Sequence, residues 1–289
     1  MTTRRTFIIG TAAAGATLFG PARAVPEKFR ETIARLERDS GGRLGVAIID
    51  TLAKTGAGYH ADDRFPMCST FKLLAVAAVL KRVDAGKERL DRRIRIVAED
   101  VVPGSSRINA PVIDGLTLAE LCEAAMIYSD NTAGNLILAG LGGPAAVTAY
   151  ARSIGDKITR LDRTEPTLNG AVPGDLRDTT TPAAMAQNLL TLLLGNALSA
   201  ASKDRLTQWL IANKTGDTRL RAGLPAGWRV GDKTGTGERG STNDIAIIYP
   251  PKRPPVLVAA YLTGTSASAD ARNATLAAVG RAVAAAVSA

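Results

Sequence analysis

Four short segments carry residue types that can do covalent chemistry without a metal. Ser69-Thr70-Phe71-Lys72 sets a serine three residues ahead of a lysine, where Met67-Cys68 leads into an apolar helix. Positions i and i+3 share one helix face, so the amine can reach the hydroxyl. A lysine partly buried there has a lowered pKa and can take the hydroxyl proton, while N–H groups at the helix start stabilise an oxyanion on the attacked carbonyl. Taken alone, the tetrapeptide is equally well explained by a serine that caps the helix.

The other segments have plain readings of their own. Ser129-Asp130-Asn131 precedes Thr132-Ala133-Gly134-Asn135-Leu136 and contains the residues favoured as helix caps. Lys-Thr-Gly occurs three times, at Lys54, Lys214 and Lys233. Lys54 falls in a hairpin turn and Lys214 in a loop before Asp217; Lys233-Thr234-Gly235 ends a strand that opens at Trp228, where an edge can present its cation to an anionic substrate. Arg163-Thr164-Glu165-Pro166-Thr167-Leu168-Asn169 lies in a loop running to Asp178. The proline holds Glu165 in extended or turn geometry, from which its side chain can hold a water together with Asn169. Read blandly, this is a solvated loop with an ordinary Arg163–Asp178 ion pair.

What is missing narrows the chemistry. His60 is the single histidine and sits at a strand end with no nucleophile or orienting turn nearby, so a Ser-His-Asp triad is not supported. Cys68 and Cys122 are far apart, and with one histidine they make no zinc site of ordinary spacing; no metal and no cofactor is called for.

The elements that must position these residues follow from periodicity. Pro26, Phe29, Ile33 and Leu36, stopped by Gly41-Gly42, read as an amphipathic opening helix; Arg43–Asp50 reads as a strand, with a second short strand ending near His60. The middle is Ala/Leu-rich and helical at Phe71–Val83, Leu118–Met126, Thr132–Ala139, Pro144–Ser153 and Pro182–Leu194. Strands return at Trp228–Thr234, Asp244–Tyr249 and Val256–Leu262, before an Ala-rich helix from about Asp270. The fold class is α+β: an antiparallel sheet flanked by N- and C-terminal helices, from residues 25–62 and 214–289, with an all-α domain of residues 63–213 inserted. The junction of the two is a natural place for a cleft.

The chain has 289 residues, of which 46% are hydrophobic, a composition that excludes disordered, collagen-like and disulfide-framework classes. Residues 1–24 read as an export signal: Arg4-Arg5 precede an apolar run from Phe7 to Phe19, and Ala22-Arg23-Ala24 supplies a small-x-small cleavage site. That run is too short to cross a bilayer, which leaves no membrane anchor after cleavage. The arginine pair followed by Thr-Phe-Ile looks like a twin-arginine signal, an ordinary secretory signal being the alternative; either places the protein in the periplasm or outside the cell. Cleavage removes Arg4, Arg5 and Arg23 and no acid, lowering the net charge from +9 to +6. The remaining excess is scattered apart from Arg89–Arg95, a solvated strand or helix edge, and the few aromatics are dispersed, so no nucleic-acid site is indicated.

In the order S-x-x-K, S-D-N, E-P-x-L-N, K-T-G, these segments resemble the class A serine β-lactamases over essentially the whole chain after the signal. The resemblance implies the fold shared by serine β-lactamases and penicillin-binding transpeptidases, a monomer, β-lactam antibiotics as substrates, and hydrolysis through an acyl-enzyme. Ser69 would attack the lactam carbonyl, with the N–H groups of Ser69 and Thr236 as oxyanion hole; Lys72, or Glu165 through a water, would take the serine proton. Ser129 would pass a proton to the leaving nitrogen, and Glu165 with Asn169 would activate the deacylating water. Lys233, Thr234, Gly235 and Thr236 would take the substrate carboxylate, and Asn131 the side-chain amide.

Some positions depart from the family pattern. Thr242 stands where many members have an arginine after K-T-G, and Arg219 matches the upstream arginine that others use instead. Pro103-Gly104-Ser105 replaces an aromatic rim. Val76 and Gly237 stand where family cysteines would pair with Cys122 and Cys68, so both thiols should be free, and carbapenem hydrolysis loses its sequence support. The family's cis bond would fall at Glu165-Pro166. Three other readings compete: a penicillin-binding transpeptidase or carboxypeptidase, which lacks a deacylating glutamate; a penicillin sensor, which needs a membrane span; and caps and turns alone.

Overall fold

The computed structural model describes residues 27–288, so the export-signal reading of residues 1–24 lies outside it. Both ends of the chain build one antiparallel sheet. Strands β1 (Arg43–Asp50) and β2 (Thr55–Tyr59) form a hairpin; β7 (Arg229–Thr236), β8 (Thr242–Tyr249) and β9 (Val256–Thr263) form a meander; β1 pairs with β9, giving the order β2-β1-β9-β8-β7. That order leaves β7, the strand carrying Lys233-Thr234-Gly235, at an open edge.

Alternation along the strands separates two cores. Leu44, Val46 and Ile48 of β1, with Ile248 and Val258, face α1 (Glu27–Ser40) and α8 (Ala269–Ser288), where Phe29, Ile33, Leu276 and Val279 close the first core. Ala47, Ile49, Ile247, Leu257 and Tyr261 face the opposite way, against the helical middle of the chain.

That middle holds α2 (Phe71–Asp84), α3 (Leu118–Ile127), α4 (Asn131–Leu141), α5 (Pro144–Ser153), α6 (Pro182–Leu193) and α7 (Ala200–Ile211). Phe71 through Leu80 of α2 are all buried, making it the central rod around which the others pack. A reciprocal Thr117/Glu120 capping box starts α3, and Thr181 caps α6 ahead of Pro182. Two short ribbons lie in this segment as well: β3 (Phe65–Pro66) with β6 (Thr179–Thr180), and β4 (Arg93–Ile96) with β5 (Val112–Thr117). Together with the Met67 N–H bond to Asp178 O (2.9 Å), the first ribbon ties the chain before Ser69 to the end of the 163–178 loop. Helix α7 has no counterpart in the periodicity reading, because only Leu206, Trp209 and Leu210 supply its apolar face; Ser199 caps it.

Candidate active site

Ser69 lies in a 3-10 turn, Cys68–Thr70, that runs straight into α2. No side chain caps either helical start, so the Ser69 hydroxyl is free for other bonds and the capping explanation falls away. Cys68 just before it has φ of 46°, a left-handed conformation that a non-glycine adopts at a cost. The Lys72 Nζ is 2.8 Å from Ser69 Oγ, and the Glu165 Oε1 is 2.8 Å from that Nζ and 3.1 Å from that Oγ. Lys72 also donates to Ser129 O and Asn131 Oδ1, each at 2.8 Å. Four acceptors compete for at most three ammonium protons, so one of these contacts is always short of a proton when Lys72 is charged. Burial pushes the Lys72 ammonium below its ordinary value, and the Glu165 carboxylate pulls it part of the way back. The Ser69 proton therefore has two receivers within reach, the Glu165 carboxylate and the neutral form of Lys72.

Glu165 is held on three sides although it sits on a loop. Asn135 of α4 clasps its backbone, donating to Glu165 O and accepting from Glu165 N, both at 2.9 Å. Asn169 Nδ2 donates to Glu165 Oε2 at 2.5 Å, and Asn169 O accepts from Glu238 N at 2.9 Å, tying the loop to the end of β7. Arg163 Nε meets Asp178 Oδ2 at 2.6 Å, and Asp178 Oδ1 accepts the backbone N–H groups of Asp162 and Arg163. The Glu165-Pro166 bond is cis. Glu165 is buried, and Asn169 Oδ1 beside it is a buried acceptor with no protein donor.

Within Ser129-Asp130-Asn131 the capping explanation holds for the middle residue alone. Asp130 Oδ1 caps α4 through Ala133 N, and Oδ2 takes the N–H groups of Arg107 and Ile108. The outer two meet the lysines: Ser129 Oγ accepts from Lys233 Nζ at 2.9 Å, and Asn131 bridges Lys72 to Pro103 O, its Nδ2 lying 2.8 Å from that carbonyl.

The β7 edge completes the site. Gly235 and Gly237 run against the Ser69 turn, since a Cβ on Gly235 would lie 2.8 Å from Met67 O and one on Gly237 2.6 Å from Cys68 Sγ. Gly237 N donates to Ser241 O and Thr236 is in register with Thr242, so by antiparallel alternation the Thr236 N–H points off the edge. Lys233 is fully buried. Burial, reinforced by the neighbouring Lys72 cation, pushes it well below the ordinary lysine value. Arg219 is buried behind the strand, donating to Gly235 O (2.8 Å), Asn243 O (2.7 Å), Thr236 Oγ1 (2.6 Å) and Asn273 Oδ1 (3.1 Å). Lys54 and Lys214, of the other two Lys-Thr-Gly segments, lie respectively in the β1–β2 turn and the loop after α7. Cys68 and Cys122 are both free and buried. His60 is partly exposed, its Nδ1 3.0 Å from Asp63.

Four contributors escaped the motif reading. Asn135 clasps Glu165, Asn243 Nδ2 pins Pro66 O and Met67 O, and Thr215 with Asn213 contacts Thr234 and Asp232. Each acts through a partner distant in sequence, and Asn135 alone had a local signal, four residues after Asn131 on the same helix face.

The β-lactamase enzyme family model matches residues 28–287. The chain is 49% identical to the β-lactamase CTX-M-25 of Escherichia coli over 281 residues, 97% of each chain, and 48% identical to OXY-1 of Klebsiella oxytoca over 285 residues, again 97% of each. The solved class A β-lactamase of the last common ancestor of Gram-negative bacteria superposes with a TM-score of 0.87 at 64% identity, covering 90% of this chain and 99% of that one. The chain belongs to the class A β-lactamases. As a class A serine β-lactamase, it has the α+β fold of that family, and the two buried lysines, the loop glutamate and the strand edge lie together where sheet and helices meet.

Proposed function

We propose that this β-lactamase opens penicillins and cephalosporins through a Ser69 acyl-enzyme that a Glu165-activated water hydrolyses, conferring resistance as an exported monomer. The observation that carries the reading is the triangle of Ser69 Oγ, Lys72 Nζ and Glu165 Oε1, with sides of 2.8, 2.8 and 3.1 Å. Ser69 Oγ bonds to the lactam carbonyl carbon while its proton passes to Lys72 or Glu165, and the Ser69 and Thr236 N–H groups take the oxyanion. The C–N bond then breaks and the nitrogen takes a proton from Ser129, which Lys233 and Lys72 replenish. Glu165 removes a proton from water, whose oxygen bonds to the acyl carbon as the bond to Ser69 Oγ breaks, and Ser69 Oγ takes up the proton held by Glu165; Asn169, bonded to Glu165, offers its unpartnered Oδ1 to the same water. Lys233, Thr234, Gly235 and Thr236, backed by Arg219, take the substrate carboxylate, and Asn131 takes the acyl-side amide.

The monomer is carried over from the family resemblance. Support for export is the twin-arginine-like leader together with the habit of the family; among the described residues no helix is long and apolar enough to cross a membrane. The test is intact-protein mass spectrometry with excess benzylpenicillin, following lactam absorbance in the same tube. Catalytic loss with little lasting adduct supports the reading; a stable one-to-one adduct without turnover overturns the Glu165 role, and no loss overturns the whole.

A further inference from the structure

The two threonine hydroxyls of the β7 edge differ in where their protons point, and the hydrogen bonds settle it. Thr215 N–H donates to Asn213 Oδ1 at 3.0 Å, and Asn213 Nδ2 donates to Asp232 Oδ2 at 2.8 Å, which together fix the orientation of the Asn213 amide. The Thr215 hydroxyl lies 2.8 Å from the same Oδ1. An amide oxygen has no proton to give, so Thr215 is the donor and its single proton is spent. The 2.5 Å contact between Thr215 Oγ1 and Thr234 Oγ1 is then bridged by the Thr234 proton. Thr236 is the reverse case. Arg219 Nη2 donates to its hydroxyl at 2.6 Å, a guanidinium accepts nothing, and the Thr236 proton remains available to a ligand.

We infer that Asn213 and Thr215 hold the Thr234 hydroxyl proton away from the cleft and thereby weaken the grip on a substrate carboxylate. A carboxylate only accepts, so beside Lys233 it meets a donor at Thr236 and a lone pair at Thr234. Thr234 can bond it only by giving up its bond to Thr215. Thr215 is thus a positioning residue that sets affinity for the anion. This rests on the proposed use of the edge as the carboxylate pocket.

The experiment compares Thr215→Val, which keeps shape and removes the acceptor, with Thr215→Ser, which keeps it, on benzylpenicillin and on its methyl ester. A single net hydrogen bond corresponds to about threefold to tenfold. Thr215→Val therefore lowers KM for benzylpenicillin by about that factor with kcat held within about twofold, Thr215→Ser matches the parent, and KM for the ester does not move. Thr215→Ala, which also lacks the hydroxyl, gives the same fall should the valine variant fold poorly. An unchanged or raised KM in the folded valine and alanine variants, or an equal fall on the ester, overturns the inference. Failure of the underlying reading shows separately, as a parent enzyme that neither acylates at Ser69 nor consumes benzylpenicillin.

Discussion

Lys72 and Lys233 are both fully buried, close enough for each to feel the other's charge, and held in opposite electrostatic conditions. Lys72 has a carboxylate at 2.8 Å. Among the described residues Lys233 has only neutral oxygens at bonding distance, Ser129 Oγ and Thr234 O, each at 2.9 Å. Burial depresses both; Glu165 offsets part of it at Lys72, whereas at Lys233 the Lys72 cation adds to the depression, Asp232 opposes it, and Arg219 and Glu165 make smaller contributions of opposite sign. A compensated ammonium suits proton traffic inside a closed cluster. One with no carboxylate bonded to it has room for an anion from outside, which is why the second lysine reads as the substrate anchor.

The largest consequence of that difference is kinetic. Lys72→Met removes a proton-transfer group, and acylation of Ser69 by benzylpenicillin slows by about 10³ to 10⁴, seen as a loss in kcat. Lys233→Met removes an anion partner, and about 10² is lost from kcat/KM, mostly in KM. Stopped-flow acylation and steady-state kinetics on both variants decide it; a kcat-only effect at Lys233 breaks the comparison.

Stability separates the two lysines next, with opposite signs. Lys72→Met strands the buried Glu165 carboxylate, a loss of about 3–5 kcal/mol. Lys233→Met exchanges a buried charge that has no bonded carboxylate for an apolar chain and gains on the order of 1 kcal/mol at neutral pH. The pH dependence of the parent has a matching sign. A lysine whose folded pKa is lowered binds fewer protons folded than unfolded, so between its folded value and the ordinary lysine value of 10.5 stability rises with pH. Thermal unfolding of the parent and Lys233→Met from pH 6 to 10 shows the gap between them closing as pH rises; a parallel pair of curves sinks the assignment.

Glu165→Gln sharpens the contrast by giving Lys72 a neutral neighbour like those of Lys233. It traps the acyl-enzyme with benzylpenicillin and moves the Lys72 Nζ titration, read by NMR of its Cε, further down. An upward or absent shift contradicts the role of Glu165 as the group that holds the Lys72 charge.

Much of the fold and of the site is legible in the sequence. The continuous apolar run in Arg43–Asp50 and the run Phe71–Leu80 report burial directly, so the sheet and α2 were legible from hydrophobicity. The motifs placed Ser69, Lys72, Ser129, Asn131, Glu165, Asn169 and Lys233, because each sits where a local signal, a helix start, an X-Pro step or a strand end, limits its geometry. Arg219 was legible as a residue and not as a contact: its side chain runs beneath β7 and reaches Thr236, a geometry that depends on Asn243 and Asn273 far along the chain. Thr215 was illegible for the same reason, since its meaning lies in a hydroxyl whose proton is directed by Asn213.

The smallest predicted effect tests the anchor without altering its shape. Only the ammonium form of Lys233 attracts a carboxylate, so KM for benzylpenicillin rises as pH climbs through the Lys233 pKa, and because burial lowers that pKa the rise begins well below the range where an exposed lysine would lose its proton. A carboxylate in place opposes this by favouring the charged form, which makes kcat less pH-sensitive than kcat/KM on the alkaline side. Lys233→Arg keeps its charge across the same range, and its KM profile flattens by up to about tenfold relative to the parent at high pH. If both enzymes show the same alkaline rise, the titrating group is elsewhere in the cleft, with Lys72 the first to examine, and the division of labour between the two lysines fails.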